Sequence, residues 1–206
     1  MDTSPDTLTA ASYRIAPVEP AAFTTHRMAA IRHDFHEHPL MRLDALAALA
    51  HRLFATKQCR FITPGSTTSA VFAHRPRHPD GRDIDEVFRR IEEPGSWVAL
   101  YNVETDPAYR GFLDEVVRAF RPLVEREQPG IASVGGFIFV SAPPSVTPFH
   151  IDRENNFWLQ VRGRKAMSVW DPRDREVVAA ADVDQFIVYG ALENVRLEDR
   201  HLARRR

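Results

Sequence analysis

The stretch SVTPFHIDRENNFWLQVRGRK, residues 145–165, decides how this chain is read. His150 and Asp152 stand one residue apart, just after Pro148. On an extended strand, residues i and i+2 point to the same face, so this spacing aims an imidazole and a carboxylate into one cavity. One nitrogen and one hard oxygen suit Fe(II), Mn(II) or Zn(II). The neighbours add a second feature. Thr147 lies three residues before His150, Asn156 six after it and Lys165 fifteen after it. A hydroxyl, an amide and an ammonium converging beside a metal would make a carboxylate pocket, with the lysine supplying charge and the threonine a hydrogen bond. Lys165 is flanked by Val161, Met167, Val169 and Trp170. A lysine turned inward there is costly unless it meets an anion. The plainer alternatives are a surface histidine beside a charged neighbour and an outward lysine in a hairpin.

Outward from this stretch, the elements change character near residue 136. Upstream, Leu43, Leu46, Ala47, Ala50 and Leu53 fall at helical spacing. Cys59 to Ile62 reads as a short strand, Ser66 to Ala73 as another, and RPRHPDGRD (75–83) as a surface loop. Asp83 caps a helix whose apolar face is Ile84, Val87, Phe88 and Ile91. Ser96 to Val103 reads as a buried strand. Asp106-Pro107 opens a helix striped by Tyr109, Phe112, Leu113, Val116, Val117 and Phe120. From Gly136 on, GFIFVS, FWLQVRG and KAMSVW read as strands separated by turns. Residues 1–20 read as a flexible N-terminal arm with a strand near Tyr13 to Ile15, and residues 21–206 as one domain, helical first and β-rich from about 136. The class is α+β.

Bulk composition excludes several roles. The 206 residues are 44% hydrophobic and 27% charged, with a net charge of −1. That balance favours neither nucleic acid nor an anionic membrane surface. No apolar run reaches the ~18–20 residues of a membrane span. One cysteine, Cys59, builds no internal disulfide framework and suits a reducing, cytoplasmic setting.

The run T-P-F-H-I-D, then N, then W-L-Q-V-R-G-R-K and W-D-P resembles the JmjC-like, cupin-fold family of Fe(II)/2-oxoglutarate-dependent oxygenases, and more closely its bacterial cupin-like members. GSWVALYNVE and GGFIFVSAPPSVTPFH resemble the segments that precede the motif in that group, and the resemblance covers the chain from about Ala22 to the end. It implies a double-stranded β-helix core preceded by helices. It implies that His150 and Asp152 bind iron, that Thr147 and Lys165 hold the distal carboxylate of 2-oxoglutarate, and that Asn156 lies in the same pocket. The family's third iron ligand is a second histidine on a late strand, after a Gly-Asp-rich turn and a proline. No such segment follows Lys165, and the one later histidine, His201, sits in LEDRHLARRR and is expected to be solvated. The β-helix is therefore expected to be incomplete at its C-terminus, with open sheet edges that invite a homodimer.

Two functions follow. One is a dioxygenase that hydroxylates an unidentified small-molecule or protein substrate, provided the iron site is completed. The other is a non-catalytic or truncated cupin-like module that binds a small carboxylate or a protein partner. Elsewhere, HDFHEH (33–38) is expected to be an exposed polar connection. His74 and His78 are expected to be solvated, and His51 to sit at a helix edge. Trp158 and Trp170 are expected in the core, and Arg162 and Arg164 in a solvated turn.

Overall fold

The computed structural model describes residues 13–62 and 74–205. The strand expected over Ser66–Ala73 and the first twelve residues of the arm lie outside these. The chain is α+β, with two small antiparallel sheets and no closed barrel among the described residues. β1 (Ile15–Pro17) pairs with β2 (Ile31–His33) as a ribbon. The expected arm is thus tied down from Ile15. The larger sheet has the order β4-β3-β5-β6, built from β3 (Cys59–Ile62), β4 (His74–Arg75), β5 (Trp97–Leu100) and β6 (Ile138–Ser141).

Three helices form where sequence spacing placed them. α1 (Leu43–Ala55) buries Leu46, Leu49, Ala50 and Leu53, and α2 (Ile84–Arg89) buries Ile84, Val87 and Phe88. The Asp83 carboxylate caps α2 by accepting from Glu86 N at 2.8 Å. α3 (Pro107–Val124) begins at Asp106, whose carboxylate accepts from Ala108 N and Tyr109 N at 3.1 and 3.4 Å. Of its stripe, Phe112, Val116, Phe120 and Val124 pack with Ile15 and Phe35 against the β1–β2 ribbon, while Tyr109 joins the core under α1 and α2. At the far end of α3, Glu127 accepts from the backbone N of Thr25 and from the hydroxyls of Thr25 and Thr24. Those bonds, led by the Thr25 backbone N–H, hold the Glu127 carboxyl down at about 2.

The larger sheet has two unlike faces, because side chains alternate along a strand. Val98 and Leu100 of β5 join Cys59, Phe61, Ile138 and Val140 against α1 and α2. Burial pushes the Cys59 thiol up to about 12. Trp97, Ala99 and the following Tyr101 turn the other way and form their own cluster. The register pairs Trp97 with Ser141 and Ala99 with Phe139, so these β6 residues share that second face.

The second half differs from the β-rich expectation. β5 stops at Leu100, because Asn102 takes a left-handed conformation (φ +51°) and a 3-10 turn follows over Val103–Thr105. Beyond Gly136, β6 is the one strand among the described residues. FWLQVRG and KAMSVW make no ladder bonds. Their apolar anchors draw them elsewhere. Phe157 stacks on Phe120 of α3 at 4.2 Å, and Asn155 donates to Gln128. Trp170 packs edge-on to Phe149 and donates from Nε1 to His201 O at 2.7 Å. It joins Val177, Val178 and Val195 in a separate C-terminal cluster. The polar tail folds as α4 (Ala180–Tyr189) and α5 (Asp199–Leu202). No described helix is long and apolar enough to cross a membrane.

Arg52 of α1 donates from Nε to Asp106 Oδ2 at 2.5 Å, so one carboxylate caps α3 and ties it to α1. Burial alone would raise the Asp106 carboxyl. The Arg52 hydrogen bond, the Tyr109 and Ala108 N–H groups and the guanidinium charge outweigh it, and the net direction is down. Asp106→Ala is expected to destabilise the chain by about 1–2 kcal/mol in urea unfolding, with Asp106→Asn keeping most of the cap. A depressed carboxyl contributes stability above its unfolded pKa and loses it as pH falls through the folded one. The difference between wild type and Asp106→Ala should therefore shrink on acidification.

Candidate functional site

The expected site residues gather over the second face of the larger sheet. After β6 the chain turns through Pro143-Pro144, which are joined by a cis peptide bond, while Ser141 and Ser145 share a hydroxyl–hydroxyl bond at 2.9 Å. Pro148 is fully buried and anchors the segment that carries Thr147 on one side and His150 on the other. Lys165 then reaches back. Its Nζ donates to Thr147 Oγ1 at 2.9 Å and lies 5.3 Å from the Trp97 ring centre and 5.4 Å from that of Trp158. The ammonium sits between two indole faces, which attract it. Among the described residues no carboxylate pairs with it. Burial pushes its pKa down. Trp97 is buried at 3% exposure, and its Nε1–H has no acceptor among the described residues.

His150 and Asp152, the expected ligand pair, follow Thr147 in the chain. His150 Nδ1 lies 2.8 Å from Pro148 O. A carbonyl oxygen only accepts, so Nδ1 carries a proton and the ring's other nitrogen is Nε2. That nitrogen faces Asp152 Oδ2 at 3.7 Å. Asn156 Nδ2 donates to the same oxygen at 2.6 Å, which orients the carboxylate. Asn156 therefore serves the Asp152 side of the site rather than Lys165. Asp152 also acts on the Tyr101 phenol, which is pushed up to about 12 chiefly by burial. His150 and Asp152 lie on an irregular segment, not on the expected strand. After the Pro148 turn His150 is half-buried and Asp152 is exposed. Their donor chemistry fits two positions of a three-ligand metal site. Among the described residues no three His, Cys, Asp or Glu side chains cluster closely enough to hold an ion.

His201 is corrected. It is buried at 3% exposure, not solvated, because α5 folds it under Trp170 and Glu198 closes a capping box around it. Its Nδ1 accepts from Glu198 N at 3.1 Å, which puts the ring proton on Nε2. A protonated nitrogen has no lone pair for a metal, so His201 in this arrangement is a cap rather than a third ligand. His78 is also buried rather than solvated. It lies edge-on to Phe61, with Nδ1 on Asp80 and Nε2 beside Arg82. His38 caps a turn through Leu40 N and packs on Phe112. His33 is half-buried. His51 sits exposed on its helix edge, bonded to Asp85. Trp158 is exposed and flanks Lys165 instead of entering the core. The W-x-A-x-Y alternation from Trp97 to Tyr101 could have revealed one wall of the pocket. Nothing local in the sequence signals that Trp158 closes over the same lysine.

Two outcomes check this geometry. Lys165→Met removes a half-buried ammonium while keeping its apolar length, so the unfolding temperature of the ligand-free protein should rise. Because the folded lysine pKa is lowered, wild-type stability should climb as pH rises from that value toward the unfolded one, and the gap to Lys165→Met should close. Nitrogen NMR of the imidazoles should show the proton on Nδ1 of His150 and on Nε2 of His201. The opposite tautomer at His150 would remove it from the metal site.

No family model, no curated protein and no solved structure matches this chain.

Proposed function

We propose that this chain is a cupin-like protein of the Fe(II)/2-oxoglutarate oxygenase type, with a core related to the double-stranded β-helix. The observation that carries the reading is Lys165. A half-buried ammonium between two indoles, bonded to Thr147 and lacking a carboxylate among the described residues, is a cation prepared for an anion. In this reading Lys165 and Thr147 hold the distal carboxylate of 2-oxoglutarate, His150 Nε2 and Asp152 hold Fe(II), and Asn156 fixes Asp152. Iron with this cosubstrate supplies oxygen activation, with decarboxylation of 2-oxoglutarate and hydroxylation of a small molecule or a protein. The residues of the chain bind and orient. The indoles of Trp97 and Trp158 lower the local dielectric and so strengthen the Lys165–carboxylate attraction.

A second reading has its own support. His150 and Asp152 are the two ligands at hand, and His201 is turned away from that role by its tautomer. The same pocket would then serve a module that binds a small carboxylate without turnover, in the cytoplasm or wherever its partner resides.

Anaerobic titration of the purified chain with Fe(II) and 2-oxoglutarate separates the two. A visible charge-transfer band that needs both components supports the oxygenase reading, and Asp152→Ala should abolish it. Absence of the band, with 2-oxoglutarate still bound, supports the module. Lys165→Ala should weaken 2-oxoglutarate binding by roughly 10- to 150-fold, the loss of one charge-assisted hydrogen bond of about 1.5–3 kcal/mol. Equal affinity in both proteins would sink the pocket and both readings with it.

A further inference from the structure

The outer edge of β6 is built for pairing. Val103 N donates to Gly136 O at 3.0 Å, and Ala142 N donates to Ser96 O at 2.9 Å. In an antiparallel ladder the bonding direction alternates from residue to residue. Gly136, Ile138, Val140 and Ala142 therefore spend their backbone groups on the β5 side. Phe137, Phe139 and Ser141 present theirs outward, where no described residue meets them. Their side chains lie on the second face of the sheet, with Phe137 56% and Phe139 46% exposed. Both rings lean on Tyr101, at 5.0 and 6.0 Å.

Edge strands are normally guarded by a charge, a proline or a bulge. β6 carries none of these. In a chain that is 27% charged, residues 128–149 contain no Asp, Glu, Lys or Arg. A charged partner strand finds no complement here, whereas a second copy meets an equally neutral edge with no like-charge penalty. We infer that two copies of this chain join through β6, antiparallel across a twofold axis centred on Phe139. Phe139 pairs with the partner's Phe139 and exchanges two backbone bonds. Phe137 faces the partner's Ser141, and Ser141 the partner's Phe137. Two four-stranded sheets become one continuous sheet. The partner's Phe137 ring comes to lie beside Ser141, which is bonded to Ser145 on the turn leading to Thr147. Each copy thus adds an aromatic side chain at the margin of the other's site. This inference stands apart from the iron and 2-oxoglutarate reading and is tested without either.

The experiment is sedimentation equilibrium of the metal-free chain, with Phe139→Lys and Phe139→Glu as variants. Wild type should be a dimer. Each variant alone should be a monomer, since like charges then stand directly opposite one another. An equal mixture of the two should recover dimer, which also shows that both are folded. Amide exchange of wild type supplies a test free of substitutions. The N–H groups of Phe137, Phe139 and Ser141 should be protected in the dimer at a level that rises with protein concentration. A monomeric wild type, a dimer that survives both substitutions, or unprotected Phe139 N–H in a dimeric sample would overturn the inference.

Discussion

The rest of the structure depends on β5 being buried on both faces. All four of its residues, Trp97 to Leu100, are inaccessible, and the strand lies between β3 and β6. A strand in that position has no solvent side. Its even-numbered residues must satisfy the helices α1 and α2, and its odd-numbered residues must satisfy whatever lies across the sheet. On the helical side the solution is a conventional apolar core with α3 beside it. On the other side Trp97 is covered by Lys165 instead of by an aliphatic layer. The site exists because the central strand needs a roof there, and the chain supplies a cation for it.

That arrangement costs stability. Placing an ammonium over an indole in partial burial disfavours its charged form. The cation–π attraction and the Thr147 hydroxyl return part of the cost. An anion would return the remainder, so the pocket is most comfortable when filled. The His150–Asp152 pair is under less tension. Pro148 O fixes the His150 ring, and Asn156 fixes the Asp152 carboxylate. Each ligand atom is oriented by a group within six residues in the chain. The motif therefore keeps its local shape even though the surrounding segment forms no strand.

This contrast explains what was legible in the sequence. α1, α2 and α3 were readable because their apolar spacing and their caps, Asp83 and Asp106, are local signals. The His150–Asp152 pair was readable because its two members stand one residue apart, whereas the Thr147–Lys165 contact, eighteen residues apart, was readable through the motif's resemblance alone. The fates of FWLQVRG and KAMSVW were not. Their period-two patterns are strand-like, but strands need partners, and Phe157 and Trp170 found better contacts on α3 and under α5. His201 and His78 misled for a related reason. Each stands in a highly charged neighbourhood, yet a cap in one case and an Asp80–Arg82 pair in the other satisfies the ring well enough to bury it.

Cys59 lies on the helix-packed face of the same sheet whose opposite face carries the site. It is the chain's one thiol, and burial keeps it protonated. Nucleophilic attack on peroxide requires thiolate, so this sulfur is doubly shielded, by position and by protonation state. The thioether of Met167, two residues from Lys165 in the chain, is by contrast 51% exposed. An oxidant arriving from solvent would thus mark an exposed methionine, a lesion that reductases reverse, and leave the core cysteine intact.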